Sequence, residues 1–71
     1  MLFDYEEKDQ LKDENGEIQY FKQIKPFTNG ILYDGKITIK EFGNSLIFYS
    51  EKTKQALGTS TKSTIKLFKK I

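Results

Sequence analysis

Residues 36–50, Lys-Ile-Thr-Ile-Lys-Glu-Phe-Gly-Asn-Ser-Leu-Ile-Phe-Tyr-Ser, contain two apolar segments joined by a turn signal. In the first segment Ile37 and Ile39 alternate with lysine and threonine, which is the period of a strand with one buried face. Residues 46–49 are apolar on both faces, which indicates a central or doubly covered strand. Gly43-Asn44 between them suits the type II′ turn of a two-residue hairpin. The stretch therefore predicts a β-hairpin.

Further turn signals lie on the N-terminal side of this hairpin. Asn15-Gly16, Asn29-Gly30 and Asp34-Gly35 are dipeptides favoured in type I′ turns, because both central residues of such turns need positive φ. Together with the hairpin they predict an all-β fold, a small antiparallel meander of about five strands. We expect it to close into a barrel or sandwich of the SH3-like or OB-like kind, since closure removes exposed sheet edges.

Three segments leave the local structure open. Residues 2–8 suit a strand, with Phe3 and Tyr5 on one face, or an acidic helix. Residues 17–27 favour a strand with a bulge because of their aromatic content, although the spacing of their apolar residues also fits a helix. One short helix near residues 51–57 is compatible with Ser50 as its N-cap.

The expected core follows from the alternation of apolar residues along the predicted strands. In residues 64–71 this alternation puts Phe68 on the outward face together with Lys66 and Lys70. The residues expected inside are Ile18, Tyr20, Ile37, Ile39, Leu46, Phe48, Ile65 and Leu67.

Length and composition limit the chemistry. At 71 residues and 8.3 kDa the chain is long enough for one small domain, which we expect to span residues 1–71. It has no Cys, His, Arg or Trp, which excludes disulfides, zinc sites of Cys and His, and catalysis by Ser-His-Asp or Cys-His. No apolar run reaches the roughly 18 residues of a membrane span, and the acidic start is unlike a signal peptide. We therefore expect a cytoplasmic protein that is not an enzyme and uses no cofactor or metal.

Charge is unevenly distributed along the chain. Residues 1–17 hold seven acids and two lysines, a balance of −5, whereas residues 50–71 hold six lysines and one acid, a balance of +5. This polarity predicts a small binding module that acts on a protein partner, as accessory or inhibitory proteins of phages and mobile elements do. The alternative is that the acidic segment pairs with the protein's own lysine-rich C-terminal half. The candidate protein-binding residues are Asp4, Glu6, Glu7, Asp9 and Asp13.

Two other functions fit the same sequence. Lysines beside an exposed aromatic ring are typical of nucleic-acid-binding surfaces, where phosphates meet the lysines and bases stack on the ring. The candidate residues for that function are Lys36, Lys40, Lys66, Phe68 and Lys70. A structural subunit that completes its sheet in a homo-oligomer is the third hypothesis, because an exposed edge strand favours β-addition.

Overall fold

The computed structural model describes residues 4–27 and 30–71. In these residues five strands form one antiparallel sheet in the order β4-β3-β2-β1-β5. A 3-10 helix at Glu7–Asp9 precedes the sheet, and a second one at Lys62–Leu67 connects β4 to β5. The expectation of a small, mostly β domain is confirmed. The strands are β1 (Phe21–Gln23), β2 (Lys36–Phe42), β3 (Ser45–Ser50), β4 (Ala56–Thr61) and β5 (Phe68–Lys70).

The hairpin expected from residues 36–50 forms the centre of the sheet as β2 and β3. Ile39 lies opposite Phe48, and Phe42 lies opposite Ser45 across the two-residue turn. Gly43 has a φ of 58° and Asn44 does not have a positive φ, which is the pattern of a type II′ turn. The alternation seen in the sequence therefore fixes the register of this pair.

The turn at Asn15-Gly16 differs from the expected type I′. The Gly16 N–H donates to the Asp13 carbonyl over 3.0 Å, and the Asp13 N–H donates to the Glu17 carbonyl over 2.7 Å. Gly16 has a φ of 81°, whereas Asn15 does not have a positive φ. The loop thus has three residues, a turn followed by a left-handed glycine, which is another common hairpin connection.

The core shows that the sheet folds over on itself. Three strand spacings separate β3 from β5, about 14 Å in a flat sheet. The rings of Phe48 on β3 and Phe68 on β5 nevertheless lie 4.7 Å apart, and Phe27 from the β1–β2 connection lies 5.6 Å and 6.0 Å from them. Among the described strands β4 pairs only with β3 and β5 only with β1, so the sheet is open and a closed barrel is not confirmed. The core residues are Phe21, Ile37, Ile39, Leu46, Phe48 and Phe68.

The prediction of the core is right for β2 and β3 and wrong for β1 and β5. Phe21 and Phe68 are buried, whereas Ile65 is exposed and Tyr20 is half-buried outside the core cluster. Residues 62–67 form a 3-10 helix, so the strand alternation assumed from residue 64 begins only at Phe68. Because the side-chain period of a strand is two, an error of one residue exchanges the two faces. Ile18 and Leu67 are likewise half-buried, and Leu67 packs against the edge of the cluster.

The short helix expected near 51–57 is also wrong. Ser50 ends β3, and its Oγ accepts the Thr53 N–H over 3.4 Å, as a helix N-cap would. Lys54, however, has a φ of 61°, so the single turn stops there and β4 starts at Ala56.

Of the two remaining open segments, one contains a short strand and the other a 3-10 turn. Residues 7–9 form a 3-10 turn rather than a strand, and only residues 21–23 of the segment 17–27 are in a strand. Phe3 lies outside the described residues.

Candidate functional site

Residues 4–9 of the acidic segment pack on the face of the sheet opposite the core, which we call the second face. The Tyr5 ring meets the Tyr49 ring edge-on at 5.5 Å, and the Tyr49 hydroxyl donates to the Asp4 carbonyl over 3.2 Å. Burial, and then the negative charges of Asp4 and Asp9, raise the pKa of the Tyr49 hydroxyl above its ordinary value of 10.0. The Leu11 N–H donates to the Ile39 carbonyl over 2.7 Å, which ties this segment to β2.

Structural contacts hold the Asp9 and Asp13 carboxylates of the candidate set. Asp9 forms an ion pair with Lys40 at 3.5 Å, and Asp13 Oδ1 accepts the N–H groups of Asn15 and Glu17 at 2.8 and 3.0 Å. The Glu6 and Glu7 side chains are exposed at the first 3-10 helix. The alternative that this segment pairs with the protein's own lysines is therefore correct for Asp9.

The candidate nucleic-acid set does not form one surface. Phe68 is 7% exposed within the core, so no base can stack on it. The Lys40 side chain is 11% exposed and is held by Asp9. Lys36, Lys66 and Lys70 are exposed, but Lys70 lies opposite the buried Phe21 rather than on the second face with Lys36.

Tertiary structure instead aligns three lysines that are distant in sequence. Lys22 on β1 lies directly opposite Lys69 on β5 and directly opposite Lys36 on β2. All three are exposed and share the second face, and we call them the lysine row. The Lys36 ammonium lies 5.4 Å from the centroid of the Tyr20 ring. Sequence reasoning found Lys36 but missed Lys22 and Lys69, because no sequence spacing reports which strands are neighbours.

The open side of the sheet holds a cleft of about 480 Å³ between β4 and the second 3-10 helix. Phe27, Phe48 and Leu57 supply apolar walls, and Gly58 and Thr64 also line the cleft. A Cβ added at Gly58 would meet no atom within 4 Å. Because Gly58 lies opposite Phe48, a side chain at position 58 would point to the core side, where this space lies.

The two edges of the sheet differ in their protection against pairing. β5 has three residues and carries Lys69 and Lys70. β4 has six residues, Ala-Leu-Gly-Thr-Ser-Thr, with no charge and no proline. Edge strands normally carry lysine or proline, or are very short, because unpaired backbone groups attract other strands. The β4 edge therefore has no lysine, no proline and no shortening to protect it from pairing, and carries only a register irregularity near its start.

Comparisons with models of protein families, with curated protein sequences and with solved structures found no significant match to this chain. In residues 4–27 and 30–71, no helix has the length and apolar character needed to cross a membrane.

Proposed function

We propose that the protein is a non-enzymatic binding module that takes up an extended segment of a partner protein along β4. The observation that carries this proposal is the contrast between the two sheet edges, a short lysine-bearing β5 and a six-residue uncharged β4. In strand addition the main chain of the partner supplies hydrogen bonds, and its alternate side chains supply specificity.

The cleft beside β4 supports an apolar side chain in the bound segment. Its volume of about 480 Å³ exceeds that of one side chain, and its apolar walls include Phe27 and Leu57. Successive residues of an added strand point to opposite faces, so every second residue of the partner would face this space. We expect the partner segment to carry a large apolar residue there.

The bent sheet supports the further proposal that the fold is a small barrel of the SH3-like or OB-like kind left open on one side. The contact between Phe48 and Phe68 brings β3 and β5 together, while β4 and β5 stay unpaired with each other. A strand bound along β4 would fill part of this gap.

The exposed acidic groups have a different role in this proposal. Glu6 and Glu7 lie at the first 3-10 helix, on the second face of the sheet, away from the cleft on the core side. Charges that lie outside the binding contact steer and orient the approach of the partner more than they strengthen the complex. Replacing both with lysine should slow association and leave dissociation nearly unchanged.

The test selects peptides from a phage-displayed library of random twelve-residue sequences and measures their affinity by fluorescence anisotropy. Gly58→Leu fills the cleft, and Thr59→Lys gives the β4 edge the charge that protects β5. Thr53→Leu is the matched control, since it adds the same leucine on the exposed turn before β4. We expect the first two variants to lose binding at least tenfold and the control to keep it.

Two results would refute the proposal. Either no peptide is selected above background, or the selected peptides bind all three variants as they bind the unmodified protein. Light scattering adds a separate outcome: a dimer that Thr59→Lys dissociates would show that β4 pairs with a second copy. The protein would then be the structural subunit of a homo-oligomer, the third hypothesis from the sequence.

A further inference from the structure

We infer that the lysine row, Lys22, Lys36 and Lys69, is a binding site for the phosphate backbone of single-stranded nucleic acid. The three residues come from β1, β2 and β5 and lie directly opposite one another across neighbouring strands. Directly opposite residues have Cα atoms about 4.5–5.5 Å apart, so the row spans about 10 Å. The inference does not depend on the proposed peptide site.

The first argument is that the lysine row destabilises the folded state. Like charges directly opposite each other on a sheet are destabilising, and Lys22 has such a neighbour on both sides. Among the described residues the ion pairs use Lys40, Lys54 and Lys62, and none of them includes a lysine of the row. An anionic ligand would relieve this repulsion.

The second argument concerns the shape of the anion. Three ammonium groups in a line match a linear polyanion, whose successive charges can each meet one lysine. Lysine is a point charge on a flexible stem, which suits phosphates without selecting a sequence. The absence of Arg from the chain removes the residue that most often reads base edges in duplex DNA.

The third argument favours single strands over duplexes. On the second face the row is bordered by Tyr20, which directly precedes β1, and by Ile71, which directly follows β5 and is 64% exposed. The Ile71 N–H donates to the Tyr20 carbonyl over 3.1 Å, so these two residues are neighbours. Unstacked bases have apolar faces that such a border can contact, whereas a duplex keeps its bases stacked inside.

The row and the cleft lie on different faces of the sheet. The row uses β5, β1 and β2 on the second face, and the cleft uses β4 on the core side. Variants of one site therefore change no side chain of the other, and the two proposals are tested independently.

The test uses fluorescence anisotropy with a labelled single-stranded oligothymidine of fifteen nucleotides and a labelled DNA duplex of fifteen base pairs. Binding is measured at 20 and 200 mM NaCl. The affinity of a single strand falls with salt by a slope of about −0.7 for each phosphate neutralised. Three contacts therefore predict a loss of roughly 100-fold over this range.

Two triple variants with the same net charge separate a site from general basicity. The row variant is Lys22→Gln, Lys36→Gln and Lys69→Gln. The control variant is Lys8→Gln, Lys52→Gln and Lys66→Gln, which replaces exposed lysines outside the row. We expect the row variant to lose binding at least 30-fold at 20 mM NaCl and the control to lose less than threefold.

A folding defect cannot imitate this result, because removing opposed like charges should raise the melting temperature of the row variant. The inference is overturned if the oligothymidine does not bind at 20 mM NaCl, or if both triple variants lose affinity equally. Tighter binding to the duplex would also overturn it. So would a salt-dependent dimer without oligonucleotide binding, since the row would then meet the acidic segment of a second copy.

Discussion

Phe68→Ala tests how the sheet is held in its bent shape. Phe68 is 7% exposed and lies 4.7 Å from the Phe48 ring and 6.0 Å from the Phe27 ring. Truncating a buried Phe to Ala costs about 3–5 kcal/mol, which includes the cavity left behind. The loss of two aromatic contacts keeps the effect near the upper end of that range. β5 has only three residues, so little else holds this end of the sheet against β3.

The size of this effect is large for so small a chain. At about 0.05–0.15 kcal/mol per residue, 71 residues have a total stability of about 4–11 kcal/mol. A loss of 3–5 kcal/mol would lower the melting temperature by at least about 12 °C, because 1 kcal/mol corresponds to about 4–8 °C in a domain of this size. If the total stability is near the lower end of this range, much of the population should be unfolded at 37 °C.

Circular dichroism melts and urea titrations of three variants measure the effect. Phe68→Leu keeps most of the buried volume and should cost less than about 1.5 kcal/mol. Phe42→Ala is the control, because Phe42 is 48% exposed at the end of β2 and should cost less than about 1 kcal/mol. If Phe68→Ala melts within about 3 °C of the unmodified protein, the bent sheet and the burial of Phe68 are both wrong.

Three further predictions concern two glycines, the Tyr49 hydroxyl and the Asp9–Lys40 ion pair. Gly58→Ala should raise stability by about 0.4–1 kcal/mol in urea titrations, since its φ is not positive and its Cβ meets no atom, whereas Gly43→Ala at φ 58° should lower it. The pKa of the Tyr49 hydroxyl is raised in the folded state, so above pH 10 this hydroxyl ionises in the unfolded chain before it ionises in the folded protein. The free energy of unfolding should therefore be unaffected by this group below pH 10 and should fall as the pH rises above 10. Tyr49→Phe should flatten that alkaline decrease, and an equal slope in both proteins would contradict it. Asp9→Asn should cost up to about 1 kcal/mol at pH 7, because it removes the partner of the Lys40 ammonium, which is 11% exposed, while the Asp9 carboxylate is 37% exposed and screened by water. An unchanged denaturation midpoint would show that the pair contributes nothing to stability.

The central hairpin could be predicted from local sequence because its information is local. Ile37, Ile39, Leu46 and Phe48 alternate cleanly on either side of a glycine turn, so the period identifies the strands and the turn sets the register. The core positions in β2 and β3 were therefore correct, and so was the all-β class.

The outer strands could not be predicted in the same way. β1 and β5 have three residues each, too few for an alternation to establish a face. The 3-10 helix at residues 62–67 has a period of three residues per turn, which matches neither the period of a strand nor that of an α-helix. The pattern of apolar residues therefore does not predict it. Strand alternation therefore places Phe68 on the surface, although Phe68 is a core residue, and a nucleic-acid site that includes Phe68 fails for that reason.

The sequence by itself determined the class of the fold, its central hairpin and the absence of Cys, His and Arg chemistry, because these depend on residue identity and short-range period. Tertiary structure alone decided which surfaces exist. Lys22, Lys36 and Lys69 become neighbours only because β1 pairs with β2 on one side and with β5 on the other. The cleft exists only because β4 and β5 leave the sheet open. Strand pairing joins residues that are far apart in the chain, and no local pattern encodes that choice of partner.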